Sequence, residues 1–356
     1  MSKDLSIQAL LEAAEQGDPN AQLNLGTCCA TGRGVEQNME QAVAWFRKAA
    51  ESGSVEAQFN LGLCAIKGEG LPADPALAAE HFRKAAEGGY MEAQHNLAVC
   101  YSQGRGVEQD DVEALRWFLA AAQQGSPVAQ RQLAVCYSQG IGTEQNHEEA
   151  FRWFAQSADQ EDPEAQRRLA FSYAMGLGTE KDDKKAFYWF RKSAQNGDMA
   201  GQRSLAVCYG QGIGTQKDDK SSFRWFKKAA QQGDMESQRN LGFCYTLGAG
   251  TTQNQQEAFL WFQKAARQGD VIAEYQVGAC YLNGTGTPQD YQKALTFIRS
   301  AAEKGLSAAQ HMLALYYESG ICVPKDLEQA KLWLSKAAEQ GDQQAAQHLE
   351  KLKSQK

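Results

Sequence analysis

The nine cysteines carry the most reactive side chains of this chain, and their spacing limits what they can do. Seven of them are separated by multiples of 36 residues: Cys28, Cys64, Cys100, Cys136, Cys208, Cys244 and Cys280. If each has the same place in a packed helical unit, neighbouring thiols lie roughly 10 Å apart. That is too far for a disulfide, which needs Cα atoms within about 7 Å. A metal site would need tighter clustering, such as Cys-x-x-Cys. We therefore predict small buried positions, without a metal or a cofactor.

The other residues give little support to catalysis. The five histidines share no motif with each other or with a carboxylate pair: His81, His95, His147, His311 and His348. We find no Ser-His-Asp order, P-loop or His-Glu-x-x-His sequence. Gly-x-Gly sequences recur at the ends of predicted helices, which indicates helix caps rather than phosphate-binding loops. We predict that the protein is not an enzyme.

The arginines offer recognition chemistry. Four recur at intervals of 36 residues, flanked at the same spacing by a histidine and a tyrosine: His95, Arg131, Arg167, Arg203, Arg239 and Tyr275. Arginine suits bidentate binding of carboxylates. Eight residues after such positions lie three glutamines whose amides could bond to a peptide backbone: Gln103, Gln139 and Gln211. These residues predict a surface for a protein or peptide partner of acidic character.

Ordinary pairing on the surface of one helix is the alternative for these arginines. Glu164 lies three residues before Arg167, and Glu236 lies three residues before Arg239, a spacing that favours such pairs. Arg131 and Arg203 have no acidic residue at that spacing. The sequence leaves both interpretations open.

A repeat of 36 residues positions all these side chains. All seven tryptophans fall on this period, and His81 and Phe297 take the two remaining places. We number each repeat from slot 1 to slot 36, with repeat one beginning at Asp18 and repeat nine at Leu306. The arginines then occupy slot 6, the cysteines slot 11 and the glutamines slot 14. Nine repeats cover residues 18–341 without an insertion or a deletion.

The sequence of each repeat predicts two helices, which we call A and B in chain order. Slot 1 is Asp or Ser in seven repeats, and slot 21 is Asn or Asp in all nine, as expected for N-caps. Helix A ends at Gly-x-Gly, and slot 36 is Gly in every repeat except repeat four, where it is Glu161. The apolar positions follow helical spacing and predict burial of Ala at slots 25, 32 and 33 and of the Trp-Phe pair at slots 28 and 29.

One helical hairpin cannot bury both its faces, so neighbouring hairpins must stack. We therefore predict one elongated domain over residues 18–341, an N-terminal capping half-repeat over 1–17 and a C-terminal capping helix over 342–356. Two places depart from the pattern and are expected to be irregular. Cys322 replaces the second loop glycine of repeat nine, and Pro72 and Pro75 surround the loop of repeat two.

Charge and hydrophobicity exclude several classes of protein. The net charge of −7 argues against nucleic-acid binding, which usually requires a basic domain. No apolar run approaches the length of a membrane helix, and Asp4 and Gln8 interrupt any secretory signal. We predict a cytoplasmic protein that interacts with neither membrane nor nucleic acid.

The sequence pattern resembles the Sel1-like repeat. Residues 93–125 show nearly all of Ala-x-x-x-Leu-Gly/Ala-x-x-Tyr-x-x-Gly-x-Gly-Val/Thr followed by Ala-x-x-Trp-Phe-x-Lys-Ala-Ala-x-x-Gly. The resemblance implies an all-α fold, a right-handed α/α superhelical solenoid related to tetratricopeptide arrays. It also implies a scaffold or adaptor in protein complexes, with helix A and slot 6 on the concave surface.

The resemblance also implies one alternative function. Some secreted Sel1-like proteins with two cysteines per repeat are linked to β-lactam binding, so a β-lactamase-like or penicillin-binding activity is the second hypothesis. The absence of paired cysteines and of a secretory signal argues against it. The sequence specifies neither the partner nor the oligomeric state.

Overall fold

The computed structural model describes residues 2–354, with side chains from residue 7 onward, and this part of the chain contains 20 helices and no strand. The helices are α1 (Ser2–Glu15), α2 (Pro19–Thr31), α3 (Met39–Glu51), α4 (Val55–Lys67), α5 (Pro75–Glu87), α6 (Met91–Gln103), α7 (Asp111–Gln123), α8 (Pro127–Gln139), α9 (His147–Asp159), α10 (Pro163–Met175), α11 (Asp183–Gln195), α12 (Met199–Gln211), α13 (Asp219–Gln231), α14 (Met235–Leu247), α15 (Gln255–Arg267), α16 (Val271–Asn283), α17 (Tyr291–Glu303), α18 (Ser307–Ser319), α19 (Leu327–Glu339) and α20 (Gln343–Ser354). The predicted all-α repeat fold is confirmed.

The chain divides into two compact units, residues 1–181 and residues 182–356. Within each unit, helix A of a repeat packs on helix B of the same repeat and on helix B of the preceding one. Repeat five is shared, because its helix A, α10, belongs to the first unit and its helix B, α11, to the second. The single domain predicted over residues 18–341 and its two caps stay predictions.

The helix ends follow the predicted caps. Slot 21 is an N-cap in all nine repeats of the described chain, as where the Asp182 side chain accepts a hydrogen bond from the Lys185 amide. At slot 1, Asp or Ser caps helix A, but Tyr90 and Leu306 make no such bond. Each helix A ends at a glycine in the left-handed conformation, as at Gly140 with φ of 74°. Local capping chemistry therefore sets the helix lengths.

The second loop glycine, slot 17, has a further reason to lack a side chain. A Cβ added to Gly142 would lie 2.1 Å from the Asp111 carbonyl oxygen at the start of the preceding helix B. Cys322 occupies the same slot with a φ of 60°, so it adopts the left-handed backbone of the glycines it replaces. Cys322 is thus one of two residues other than glycine with positive φ in the described chain, and the irregularity predicted for its loop stays a prediction.

Stacked hairpins share their cores. In one cluster, Ala98, Phe118 and Ala122 of repeat three pack with Leu133 and Cys136 of repeat four. The predicted burial is confirmed for the slot-29 phenylalanines and for the alanines except Ala338, which is partly buried. The slot-28 tryptophans are only partly buried, except Trp261, which is 8 % exposed. The slot-31 lysine covers several of these rings.

A buried row of glutamines at slot 5 also ties the layers together. In repeat four, the Gln130 side chain is 4 % exposed, and its Nε2 donates to the Ala122 carbonyl at the end of the preceding helix B, at 3.2 Å. Its Oε1 accepts a bond of 2.8 Å from Nε2 of Gln160 at slot 35. Repeats three, six, seven and nine have the same arrangement. Slot 5 was not among the buried positions predicted from the sequence, and this polar network lies inside the apolar stack.

Replacing Glu161 with glycine is expected to raise the free energy of unfolding by about 1 kcal/mol, since a residue with a Cβ is strained in the left-handed region. Glu161 has a φ of 67° where the other repeats have glycine at slot 36. At Gly125, the same slot in repeat three, an added Cβ would meet no atom within 4 Å. The cost of a side chain at slot 36 is therefore strain in the backbone and not a steric clash. Urea denaturation of Glu161→Gly measures the gain. The control Glu161→Ala keeps the Cβ, and an equal gain there would assign the effect to charge instead.

Candidate functional site

Three of the slot-6 arginines, Arg131, Arg203 and Arg239, are partly buried and form ion pairs with the following repeat. In the second unit, Arg239 donates to Oδ2 of Asp270 at 2.7 Å, and Arg203 donates to Oδ1 of Asp234 at 2.8 Å. Both aspartates occupy slot 1 of the following repeat, and their side chains are 3 % and 6 % exposed. Each also caps helix A of that repeat, as where Oδ1 of Asp270 accepts from the Ala273 amide at 2.8 Å. One carboxylate thus starts a helix and joins two repeats.

The first unit shows the same pairing at Arg131. Its side chain is 16 % exposed and donates to Asp162 at 3.2 Å and to Glu164 at 2.8 Å. Arg167 lies 3.8 Å from Glu164 on the same helix, as one sequence interpretation expected. Burial favours the neutral form of Glu164, but the hydrogen bond from Arg168 and the surrounding guanidinium charges together lower its pKa. The structure therefore places acidic groups of this chain around the slot-6 arginines Arg131, Arg167, Arg203 and Arg239, which we call the arginine row.

A sequence signal for this pairing exists between repeats. Wherever slot 6 is Arg, slot 1 of the following repeat is Asp, and the slot-6 residue His311 is likewise followed by Asp342, 3.7 Å away. Where slot 6 is Phe59, the next slot 1 is Tyr90, and the two rings lie 5.0 Å apart. Spacing within one helix does not indicate these partners, because they lie 31 residues away in the next repeat.

The remaining predicted residues differ in accessibility. His95 is half-buried, its ring lies 5.7 Å from that of Phe118, and burial followed by the Arg131 charge lowers its pKa. Tyr275 is also half-buried, and burial raises its pKa. The three slot-14 glutamines are exposed: Gln103, Gln139 and Gln211. Of the predicted set, the glutamines are therefore the most accessible to a partner.

An apolar patch occupies the same face of helix A in repeat five. Phe171 at slot 10 and Met175 at slot 14 lie one helical turn apart on α10 and are 43 % and 69 % exposed. Leu177, in the following loop, is 41 % exposed. We call these three residues the α10 patch. Neither apolar residue on α10 was selected from the sequence, although slot 14 is glutamine in three other repeats.

A surface pocket of 320 Å³ adjoins the α10 patch between repeats four and five. Its lining combines apolar, cationic and hydroxyl groups: Ser138, His147, Phe154, Arg167, Arg168, Phe171, Ser172 and Leu177. Arg168 lies over the Phe154 ring, 5.9 Å from its centroid. This pocket can receive an apolar side chain and offers hydrogen-bond donors at its edge.

The cysteines do not form a reactive site. All nine lie in the described range and are free thiols. Cys136 and Cys208 are buried, and burial is the main cause that raises each pKa to about 11. They therefore stay protonated at neutral pH and are poor nucleophiles. Within the described residues, no group of three or more His, Cys, Asp or Glu side chains could hold a metal ion.

Repeated helical hairpins with shared cores define an α/α repeat protein, and comparisons specify the family. The Sel1 repeat model matches nine segments: residues 19–54, 55–90, 92–126, 127–162, 163–198, 200–234, 236–270, 271–306 and 307–342. The chain belongs to the Sel1 repeat family, whose members are generally protein-interaction scaffolds without catalytic activity.

Two solved structures are similar over most of their length. A protective antigen of uropathogenic Escherichia coli strains, which displays the Sel1-like repeat fold, is 35% identical with a TM-score of 0.65, covering 96% of this chain and 81% of that one. A Sel1 repeat protein of Oxalobacter formigenes is 32% identical with a TM-score of 0.65, covering 86% of this chain and 89% of that one. No curated protein matches the chain. Among the described helices, none has both the length and the apolar character needed to cross a membrane.

Proposed function

We propose that this protein is a non-enzymatic scaffold that binds a partner protein through the exposed face of helix A. The observation that carries the proposal is the α10 patch beside its pocket. Contiguous exposed apolar side chains next to a concavity are typical of protein-interaction sites. An apolar residue of the partner occupies the pocket, and Gln139 of the preceding repeat offers its amide to the partner backbone.

The arginine row has a supporting role in this proposal. Arg131, Arg203 and Arg239 form ion pairs within the chain, and their side chains keep 16–30% exposure. Within each unit we place them beside the exposed face of helix A: Arg131 with His95 and Gln103 in the first unit, and Arg203 and Arg239 with Tyr275 and Gln211 in the second. An acidic partner and a cytoplasmic location remain parts of this proposal.

A β-lactamase-like or penicillin-binding activity is not favoured. That hypothesis came from relatives with two cysteines per repeat, whereas the slot-11 cysteines here are free thiols without a disulfide in the described chain. No polar cluster in the pocket of repeats four and five contains one of these thiols.

Replacing Met175 with glutamate is expected to remove specific partners from an affinity purification. The substitution places a charge in the apolar patch, where a partner would have to desolvate it. Quantitative mass spectrometry of proteins captured by the wild type and the variant measures the loss. We expect at least about a tenfold decrease for a direct partner, since a truncated hot spot contributes 2 kcal/mol or more.

Leu247→Glu is the matched control. Leu247 also occupies slot 14 and is 75 % exposed, but it belongs to repeat seven and does not line the pocket. It should leave capture of the same partners intact. An unchanged partner set for Met175→Glu, or an equal loss for both variants, would contradict the assignment of the binding site to the α10 patch.

A further inference from the structure

The charge of this chain is divided unevenly. Residues 1–181 contain 14 basic and 25 acidic residues, a formal charge of −11, whereas residues 182–356 contain 22 and 18, a charge of +4. The basic charge is concentrated in residues 184–228, with ten basic and three acidic residues. The net charge of −7 for the whole chain therefore hides a strongly basic segment.

Helix B of repeats five and six presents this charge. On α11 and α13, seven basic side chains are exposed to solvent. Lys185 pairs with Asp182 at 3.7 Å, and the other six are Lys184, Arg191, Lys220, Arg224, Lys227 and Lys228. We call these six the basic helix-B face. Exposed aromatic surface accompanies them, since Tyr188 is 42 % exposed and the Arg191 guanidinium lies 5.9 Å from its ring.

This face differs from the arginine row in how its charges are compensated. Arg203 and Arg239 of the row face buried aspartates at 2.8 and 2.7 Å. In contrast, none of Lys220, Arg224 and Lys227 forms an ion pair with another described residue. The positive potential of the basic helix-B face is therefore available to an external ligand, while that of the row is largely neutralised.

We propose that the basic helix-B face binds an acidic segment of a partner protein, rich in Glu and Asp and carrying an aromatic or aliphatic residue that packs on Tyr188. This inference rests on the proposed scaffold function and adds a second surface and the chemistry of its ligand. Charge complementarity supplies the attraction, and the exposed tyrosine supplies apolar contact.

A short protein segment fits the face better than an extended polyanion does. Asp182 and Asp183 lie at the start of α11, and Asp218 and Asp219 at the start of α13, so negative charge limits the face at its helix N-terminal edge. A long nucleic acid or a membrane surface would extend across this acidic edge and would be repelled there. A short segment stays within about 8 Å of the basic side chains, the distance over which charge acts at physiological salt.

Binding of a short fluorescein-labelled peptide, rich in Glu and Asp and containing one Phe, tests the proposal by fluorescence anisotropy. Lys227→Glu with Lys228→Glu in the full chain is expected to raise the Kd by about tenfold or more, because two attractions become repulsions. Wild-type binding should weaken as the ionic strength rises. Circular dichroism verifies that the variant is folded.

Repeat one offers a matched control variant. Arg47 and Lys48 occupy the same slots 30 and 31, and the Lys48 Nζ lies 4.1 Å above the Trp45 ring, as the Lys228 Nζ lies 4.3 Å above that of Trp225. Arg47→Glu with Lys48→Glu changes the net charge equally and should leave peptide binding unchanged. Equal weakening by both double variants would overturn the proposal, since net charge alone would then account for binding.

Three further outcomes would also overturn it. These are the absence of wild-type peptide binding, equally tight binding of duplex DNA or phosphatidylserine vesicles, and self-association in sedimentation that the Lys227→Glu, Lys228→Glu variant abolishes. The last would identify a second copy of the chain as the ligand. Met175→Glu should not change peptide binding, so a failure here leaves the scaffold proposal to be judged by its own test.

Discussion

Replacing Asp270 with alanine is expected to lower the free energy of unfolding by about 3 kcal/mol, because the change removes a helix cap and leaves a partly buried guanidinium unpaired. Asp270 accepts from the Ala273 amide at 2.8 Å and from Arg239 at 2.7 Å. Its side chain is 3 % exposed and that of Arg239 is 22 % exposed. The loss should be concentrated where repeats seven and eight meet.

Urea denaturation measures the total effect, and amide hydrogen exchange locates it on α16, since repeat arrays lose structure locally. Asp18→Ala is the matched control, because Asp18 caps α2 through the Asn20 and Ala21 amides at the same slot. No arginine of a preceding repeat pairs with it, so we expect about 1 kcal/mol there, the usual contribution of a cap.

The comparison decides what the arginine row is for. If Asp270→Ala destabilises no more than Asp18→Ala does, then Arg239 gains nothing from the ion pair and stays available for a partner's carboxylate. We expect Asp270→Ala to lower the free energy of unfolding by about 2 kcal/mol more than Asp18→Ala does. That result would show that the arginine row mainly joins repeats. Recognition would then depend on the exposed slots 10 and 14 and on helix B.

Gln238→Glu is expected to lower the free energy of unfolding by about 3 kcal/mol, since it buries a charge without a cationic partner. Gln238 is 6 % exposed, donates to the Ala230 carbonyl at 3.2 Å and accepts from Gln268 at 2.8 Å. The substitution turns the donor into an acceptor that faces a carbonyl oxygen. An unsatisfied pair of acceptors inside the stack adds to the penalty of the charge.

Repeat eight supplies the rescue for this variant. Slot 5 there is Glu274, 7 % exposed, and slot 35 is Lys304, whose Nζ lies 2.5 Å from the carboxylate. Ser300 donates to the other carboxylate oxygen at 3.0 Å. Adding Gln268→Lys to Gln238→Glu should therefore recover about 1–2 kcal/mol, which a double-mutant cycle in urea measures. A double variant less stable than Gln238→Glu alone would contradict this account of slots 5 and 35.

The two surfaces that we propose differ in chemistry. The α10 patch is apolar and the basic helix-B face is charged, so the proposal assigns partners of different chemistry to different sites. Charged surfaces mainly speed association and select partners, whereas buried apolar anchors slow dissociation.

The sequence by itself determined the fold class and the helix boundaries of this protein. Tryptophan spacing fixed the period, Asn and Asp at slot 21 fixed the start of each helix B, and glycine fixed the helix ends. These features act within a few residues along the chain, because caps and left-handed turns satisfy backbone groups of the same turn. Burial followed from the same helical period.

The tertiary structure decided which polar side chains are free. Arg131 resembled an unpaired recognition residue because its partners, Asp162 and Glu164, lie in the next repeat. Gln130 appeared to be an ordinary polar residue until stacking placed the Ala122 carbonyl beside its amide. Such pairs form only when separate hairpins pack together, and their energies depend on the burial that packing creates. Exposure of Met175 and of the lysines on α13 was settled in the same way, since neighbouring layers determine which side chains they cover.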